Sequence, residues 1–186
     1  ADHKELKEYS LLQELCFGTS RWFFDLDYLL NHLLDKPLKN KDKDIHCLLL
    51  VGLYQLRNLS IPDHAVLNES VAATQILKKP WAKSLVNAIL RNYQRNFQHN
   101  QENTKELMDT APAHVQFAFP EWLYQQLLEA WPNHTAEILD TSNNRPPMTL
   151  RVNEQKTNRA DQLSKMQDAG IAAKEGELSR QSLYLE

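Results

Sequence analysis

Glycine is scarce in this chain: Gly18, Gly52, Gly170 and Gly176 are the whole supply in 186 residues. No pair of them frames a phosphate-cradling loop, and none opens the glycine-rich strand-to-helix turn through which a backbone approaches a nucleotide or methyl donor. Cysteine is scarcer, with Cys16 and Cys47 set in apolar helical patterns and outside any CxxC pair. They read as buried, reduced thiols, which suits a cytoplasmic protein. The histidines run from His3 to His134 with no two lying three or four residues apart. A zinc site therefore has no support, and no Ser-His-Asp or Cys-His constellation is visible. Long apolar runs are missing too. The longest, Cys47 to Leu56, is broken by Gln55 and is too short to cross a bilayer, and no signal peptide precedes it.

The most telling absence is of acids. None occurs from Ser70 to Gln101, yet Lys78, Lys79, Lys83, Arg91 and Arg95 all lie there, in a chain of net charge −3. The sign of the charge reverses locally. Residues 1–105 hold 14 lysines and arginines against 12 acids, and the remainder holds 7 against 12. Hydrophobic residues make up 42% and charged residues 24%, enough apolar material for one packed domain or two small ones. Net charge does not announce nucleic-acid binding, whereas its distribution points that way.

The apolar periods are mostly helical. Leu6 to Phe24 reads as one helix, and Asp25 or Asp27 begins a second that Pro37 ends. KNKDKD is a solvated loop. Ile45 to Leu59 is apolar nearly all round, the mark of a central helix, with Gly52 inside it for close packing. Pro62 starts a helix to about Leu77, and Lys79-Pro80 breaks it. In the next helix, at about 100° per residue from Lys83, Leu85, Val86, Ile89, Leu90, Tyr93 and Phe97 share one arc. Lys83, Asn87, Arg91, Gln94, Arg95 and Gln98 share another. His99 to Thr104 reads as a linker. A helix runs from Pro120 through Ala130 and a shorter one from His134 to Thr141. The period then changes to a strand at Met148–Val152, a helix capped by Asn158 and closed near Gly170, and a strand at Ser182–Leu185. The fold class expected is mainly α: a helical bundle, a helical connector and a small β-α-β element.

VLNESVAATQILKKPWAKSLVNAILRNYQR resembles the signature of NusB-type RNA-binding domains, a hydrophobic-Asn-Glu-hydrophobic helix followed by a hydrophobic-Asn-Ala-hydrophobic-Leu-Arg helix. LQELCFGTSRWFFDLDYLL and LLLVGLYQL resemble the same family, and NNRPPMTLRVN is similar to the segment ahead of the catalytic domain in Sun/RsmB-type small-subunit rRNA cytosine-5 methyltransferases. The resemblance implies a NusB-like domain over 1–100, with the family's first helix missing ahead of Tyr9. It implies a connector and small α/β subdomain over 105–186, leading into a methyltransferase domain absent from this chain. By the same resemblance the parent enzyme uses S-adenosylmethionine and acts on small-subunit rRNA, while this chain is a fragment that binds no cofactor and catalyses nothing. Its partners would be that rRNA and its own catalytic domain, with neither membrane nor metal. Other readings stay open: a protein-interaction module, or an antitermination or ribosome-assembly factor.

The candidate RNA contacts are Lys78, Lys79, Lys83, Asn87, Arg91 and Arg95, because rigidly spaced cations neutralise neighbouring phosphates. The bland reading is a solvated helix face. Arg21 and Arg57 are candidates to extend the patch. Arg145 and Arg151, around Pro146-Pro147, fit either RNA or salt bridges to an adjoining domain. Asn68 and Glu69 read as structural, and Asn87 as a residue able to bond a neighbouring helix. Trp22, Trp122 and Trp131 have apolar helical neighbours and read as core, leaving Trp81, beside Lys78-Lys79-Pro80, as the tryptophan to test for base stacking.

Overall fold

A computed structural model describes residues 9–185, with Gln101 described by its backbone only. The chain forms two compact units, residues 1–140 and 141–186. In the first, helix α3 (Lys43–Asn58) is the axle. It contacts α1 (Tyr9–Arg21), α2 (Phe23–Leu33), α4 (Asp63–Ile76) and α5 (Ala82–Tyr93). Ile45, Leu49 and Leu53 are fully buried on it. Its only outward strip holds Lys43, Cys47 and Asn58. Cys47 is thus exposed, as is Cys16, whose neighbours Leu15 and Gly18 take the inward side of α1. The buried-thiol expectation is corrected on both counts.

Two glycines set how closely the helices approach. A Cβ on Gly52 would lie 3.0 Å from Leu90 Cδ2 and 3.3 Å from Ser70 Oγ, so α3, α4 and α5 converge there. A Cβ on Gly18 would collide with the Tyr54 phenol, which lies flush against α1. The Tyr54 hydroxyl donates to Glu14. Burial pushes its pKa up to about 12, and the Glu14 hydrogen bond adds to the shift.

The α1–α2 break falls at Trp22, earlier than the sequence pattern suggests. Asp25, in the first turn of α2, takes two 2.8 Å contacts from the Arg57 guanidinium. That guanidinium also lies 5.7 Å from the Trp22 ring centroid. This pairing ties the start of α2 to the end of α3. Further on, the expected linker shrinks to His99 and Asn100. The Asn100 side chain caps α6 (Gln101–Asp109), and Leu107 of α6 joins the main core. Helix α7 (Ala113–Gln116) packs on α2 and on α8 (Glu121–Ala130). Helix α8 has no fully buried residue: Leu123, Tyr124 and Leu127 take the inward side. Trp122 is therefore 63% exposed, and Trp131, beyond the helix end, is 54% exposed. Neither is core. Trp22 is half-buried against the core. Helix α9 (Thr135–Asn143) buries Leu139.

In the second unit β1 (Thr149–Arg151), α10 (Arg159–Asp168), β2 (Ala173–Glu175) and β3 (Ser182–Leu185) follow in order. The sheet order is β1-β3-β2, antiparallel throughout, with Leu183 opposite both Leu150 and Glu175. The sequence pattern lacks β2 because Ala-Lys-Glu has low strand propensity, so its edge position rests on pairing with β3. The Asn158 side chain caps α10, and Gly170 follows its end at φ 73°. Val152, Met166 and Leu183 form the core.

Gly18→Ala is expected to lower the melting temperature by the equivalent of about 1–3 kcal/mol of overpacking, partly offset by helix propensity. Gly52→Ala costs less, since Leu90 needs to yield only tenths of an ångström. Thermal unfolding followed by circular dichroism reads both, and an unchanged midpoint for Gly18→Ala contradicts the Tyr54 contact.

Candidate nucleic-acid interface

The corner between α4 and α5 organises the basic surface. Helix α4 ends in a Schellman motif: the Lys78 amide donates to Gln75 O and the Lys79 amide to Thr74 O. Lys78 takes the left-handed position, φ 56°, where glycine is preferred. The exposed Lys78 cation therefore sits on a fixed corner.

Lys79 has a different task. Its ammonium contacts Lys41 O at 2.7 Å, Asp42 Oδ1 at 2.9 Å and Asp44 Oδ1 at 2.6 Å. Asp42 is 6% exposed, so Lys79 supplies the charge that a buried carboxylate requires. The Asp44 hydrogen bond, then the Asp42 one, raise the Lys79 pKa, and the Lys79 hydrogen bond chiefly lowers that of Asp44. Lys79 is thus an internal clasp with its charge already matched, unlike the free phosphate ligand the pattern suggested. The loop read as merely solvated is pinned to the α4–α5 corner. Lys39 and Lys41 then share a cleft with Trp81, which precedes α5 and is 52% exposed. Sequence reasoning missed these two lysines. The available signal was the alternation in Lys39-Asn-Lys-Asp-Lys-Asp44, whose acids need partners.

Along α5, Lys83, Asn87 and Arg91 recur every fourth residue on one stripe, with Lys83 and Arg91 exposed. Arg91 Nε donates to Asn87 Oδ1 at 3.1 Å. Asn87 thus bonds within its own helix and, among the described residues, to no neighbouring one. That bond steadies the guanidinium and leaves its two terminal nitrogens without a partner among the described residues, free to meet an oxyanion. Beyond Tyr93 the backbone widens into a π turn, Gln94–Gln98, which carries exposed Arg95 and buries Phe97 parallel to Tyr93 at 6.3 Å. Gln94 and Gln98 leave the polar face, both donating to Asp63 at the start of α4. Arg57 is also withdrawn, since Asp25 holds it. Arg21 is exposed at the end of α1. Among the described residues, Lys78, Lys83, Arg91 and Arg95 have no carboxylate partner.

Asn68 and Glu69 lie mid-way along α4, exposed and without a side-chain bond to any described residue. Arg145 and Arg151 are exposed in the second unit, one ahead of β1 and one on it, also without a carboxylate partner among the described residues. No group of three metal-binding side chains occurs among the described residues, and none of their helices is long and apolar enough to cross a membrane.

A model of the NusB family matches residues 2–95, the span that holds the basic corner and helix α5. The chain belongs to the NusB family. A second model, the Methyltr_RsmF/B-like, ferredoxin-like domain, matches residues 119–186, leaving α6 and α7 between the two. A Coxiella burnetii protein named "Probable ribosomal RNA small subunit methyltransferase B" is 45% identical over 90% of this chain and 38% of its own length. The Klebsiella pneumoniae ribosomal RNA small subunit methyltransferase B is 39% identical over 89% of this chain and 37% of its own. The Pseudomonas putida protein of that name is 42% identical over 99% and 41%. This NusB-family chain spans about two fifths of the length of the curated relatives it matches.

The two adjacent lysines predict opposite mutational signs. Lys78→Gly raises the melting temperature, by roughly 1 kcal/mol of relieved left-handed strain. Lys79→Ala lowers it by stranding Asp42. The pH dependence follows from the shifts. Asp44, depressed in the fold, contributes stability above the ordinary carboxylate range and loses it as pH falls through its folded value. Tyr54, raised to about 12, contributes below about pH 10 and loses it as pH climbs toward 12, and Lys79, also raised, contributes below the ordinary lysine range and loses it as pH rises through its folded value. Melting temperatures measured from pH 3 to 12 should be flat in the middle and fall at both ends. Lys79→Ala should blunt both falls, and an unaltered profile in that variant contradicts the clasp.

Proposed function

We propose that this chain is the RNA-binding and substrate-positioning region of an S-adenosylmethionine-dependent methyltransferase that acts on cytosine C5 in small-subunit rRNA, in a cytoplasmic setting. The observation that carries the reading is the acid-free stripe of Lys83, Asn87 and Arg91 on α5, continued by Arg95 and flanked by Lys78 at the fixed corner. From Lys83 to Arg95 the helix rises about 18 Å, enough for cations to meet several consecutive phosphates. Names of relatives and both family matches support the same reading. We assign the RNA contacts of residues 1–100 to Lys78, Lys83, Asn87, Arg91 and Arg95, with Lys79 holding the loop behind them. Arg145 and Arg151 add contacts from 105–186, the part leading into the catalytic domain.

The methyl donor belongs to that domain. The segment after β1, Asn153–Asn158, has no glycine, and the sheet it leaves is antiparallel, unlike a cradle for a nucleotide-like cofactor. The contribution of this chain to the reaction is binding energy and orientation. A second partner is the catalytic domain itself, which the exposed Trp122 and Trp131 suit.

Fluorescence anisotropy of a labelled small-subunit rRNA hairpin, at two salt concentrations, tests the reading. The combined Lys83→Ala, Arg91→Ala, Arg95→Ala variant should weaken binding about 10- to 100-fold and reduce the salt slope by roughly two to three. Binding that is insensitive to salt and unchanged in the variant refutes the phosphate face and favours a protein-interaction module. Calorimetric titration with S-adenosylmethionine should give no heat of binding; saturable micromolar binding contradicts the assignment of the donor site to the other domain.

A further inference from the structure

The phosphate stripe leaves one feature unexplained. Trp81 stands at the corner, half exposed, and its indole N–H has no acceptor among the described residues. It walls a cleft of about 420 Å³ together with Pro37, Leu38, Lys39, Lys41 and Asp42. That size falls within the range of small-molecule sites. Its chemistry is specific: one large aromatic face, an apolar wall from Pro37 and Leu38, and two lysines. The single acid lining it, Asp42, is already paired with Lys79. The unpaired charges of the cleft are therefore the positive ones of Lys39 and Lys41, which have no carboxylate partner among the described residues. Lys78 and Lys83 flank Trp81 along the chain.

An aromatic face beside cations suits an unpaired nucleotide, whose base stacks while its phosphates meet ammonium groups. A base within a duplex hides both its faces. We propose that this cleft takes one unpaired base of single-stranded RNA, stacked on Trp81, with the flanking phosphates on Lys39 and Lys41. The proposal rests on the reading that the α5 stripe binds RNA, and it adds the class of RNA: a strand that leaves its stem at the α4–α5 corner. The clasp makes the cleft, because Lys79 holds the loop bearing Lys39 and Lys41 against the turn bearing Trp81.

The test is anisotropy with a fluorescein-labelled 12-nucleotide RNA of mixed sequence, single-stranded and as its duplex. Thermal melts check that each variant is folded. The intact chain should bind the single strand more tightly. Trp81→Ala should weaken the single strand about tenfold, within the range of one base–aromatic stack, and leave the salt slope and the duplex affinity unchanged. Trp81→Phe should recover most of the loss. Lys39→Ala with Lys41→Ala should lower the salt slope by about one to two. Equal affinity for both RNAs overturns the base cleft. So does wild-type affinity in Trp81→Ala while the α5 triple variant is impaired. In that case the phosphate stripe stands, and the exposed tryptophan becomes a candidate protein contact. Absence of binding to either RNA overturns the cleft and the stripe together.

Discussion

Helix α3 persists in water only because four other helices wrap it. Most of its side chains are apolar, and an isolated helix with that surface would expose several large hydrophobes at once. Everything else in the first unit answers to that constraint. Gly52 lets α4 and α5 close on α3, Gly18 lets α1 lie flat on Tyr54, and Arg57 at the far end draws in Asp25 to fix where α2 begins. Helix α5 commits Val86, Ile89, Leu90 and Tyr93 to this packing. Its opposite stripe is consequently held rigid and turned to solvent, with Lys83 and Arg91 aligned on it.

A chain of net charge −3 binds a polyanion only where its charges are segregated. The fold achieves this by separating two kinds of lysine. Lys79 turns inward onto Asp42 and Asp44 and offsets part of the negative charge these two acids carry beside the stripe. Lys78, one residue earlier, is held outward in a backbone conformation that favours glycine. The same clasp draws Lys39 and Lys41 to Trp81, so a loop of little apparent interest becomes part of the basic corner. Local charge, more than the total, is what this surface offers a partner.

Much of the helical architecture is legible in the sequence because apolar period and proline punctuation both report on local structure. Proline marks the starts of α4 and α8, Asn158 caps α10, and Gly52 marks a close helix crossing. What escapes is settled by contacts distant in sequence. The α1–α2 break depends on Arg57, over thirty residues away from Asp25. Strand β2 exists through β3, and α6 is secured by the buried Leu107 and an asparagine cap. For the candidate site, the stripe of Lys83, Asn87 and Arg91 is readable from spacing alone. The fate of Lys79, the loss of Gln94 and Gln98 to Asp63, and the arrival of Lys39 and Lys41 are not. Apolar neighbours misled on Trp122 and Trp131, because a short helix has only one inward side and Leu123, Tyr124 and Leu127 occupy it.

The central claim is that RNA meets the protein at the α4–α5 corner and along the outward stripe of α5. The most direct measurement is a titration of the isotopically labelled chain with single-stranded RNA, followed by amide NMR shifts. The account predicts that the perturbations concentrate in residues 78–95 and in the loop 36–43, with α8 largely silent. Shifts confined to α8 around Trp122, with residues 78–95 unmoved, would contradict it.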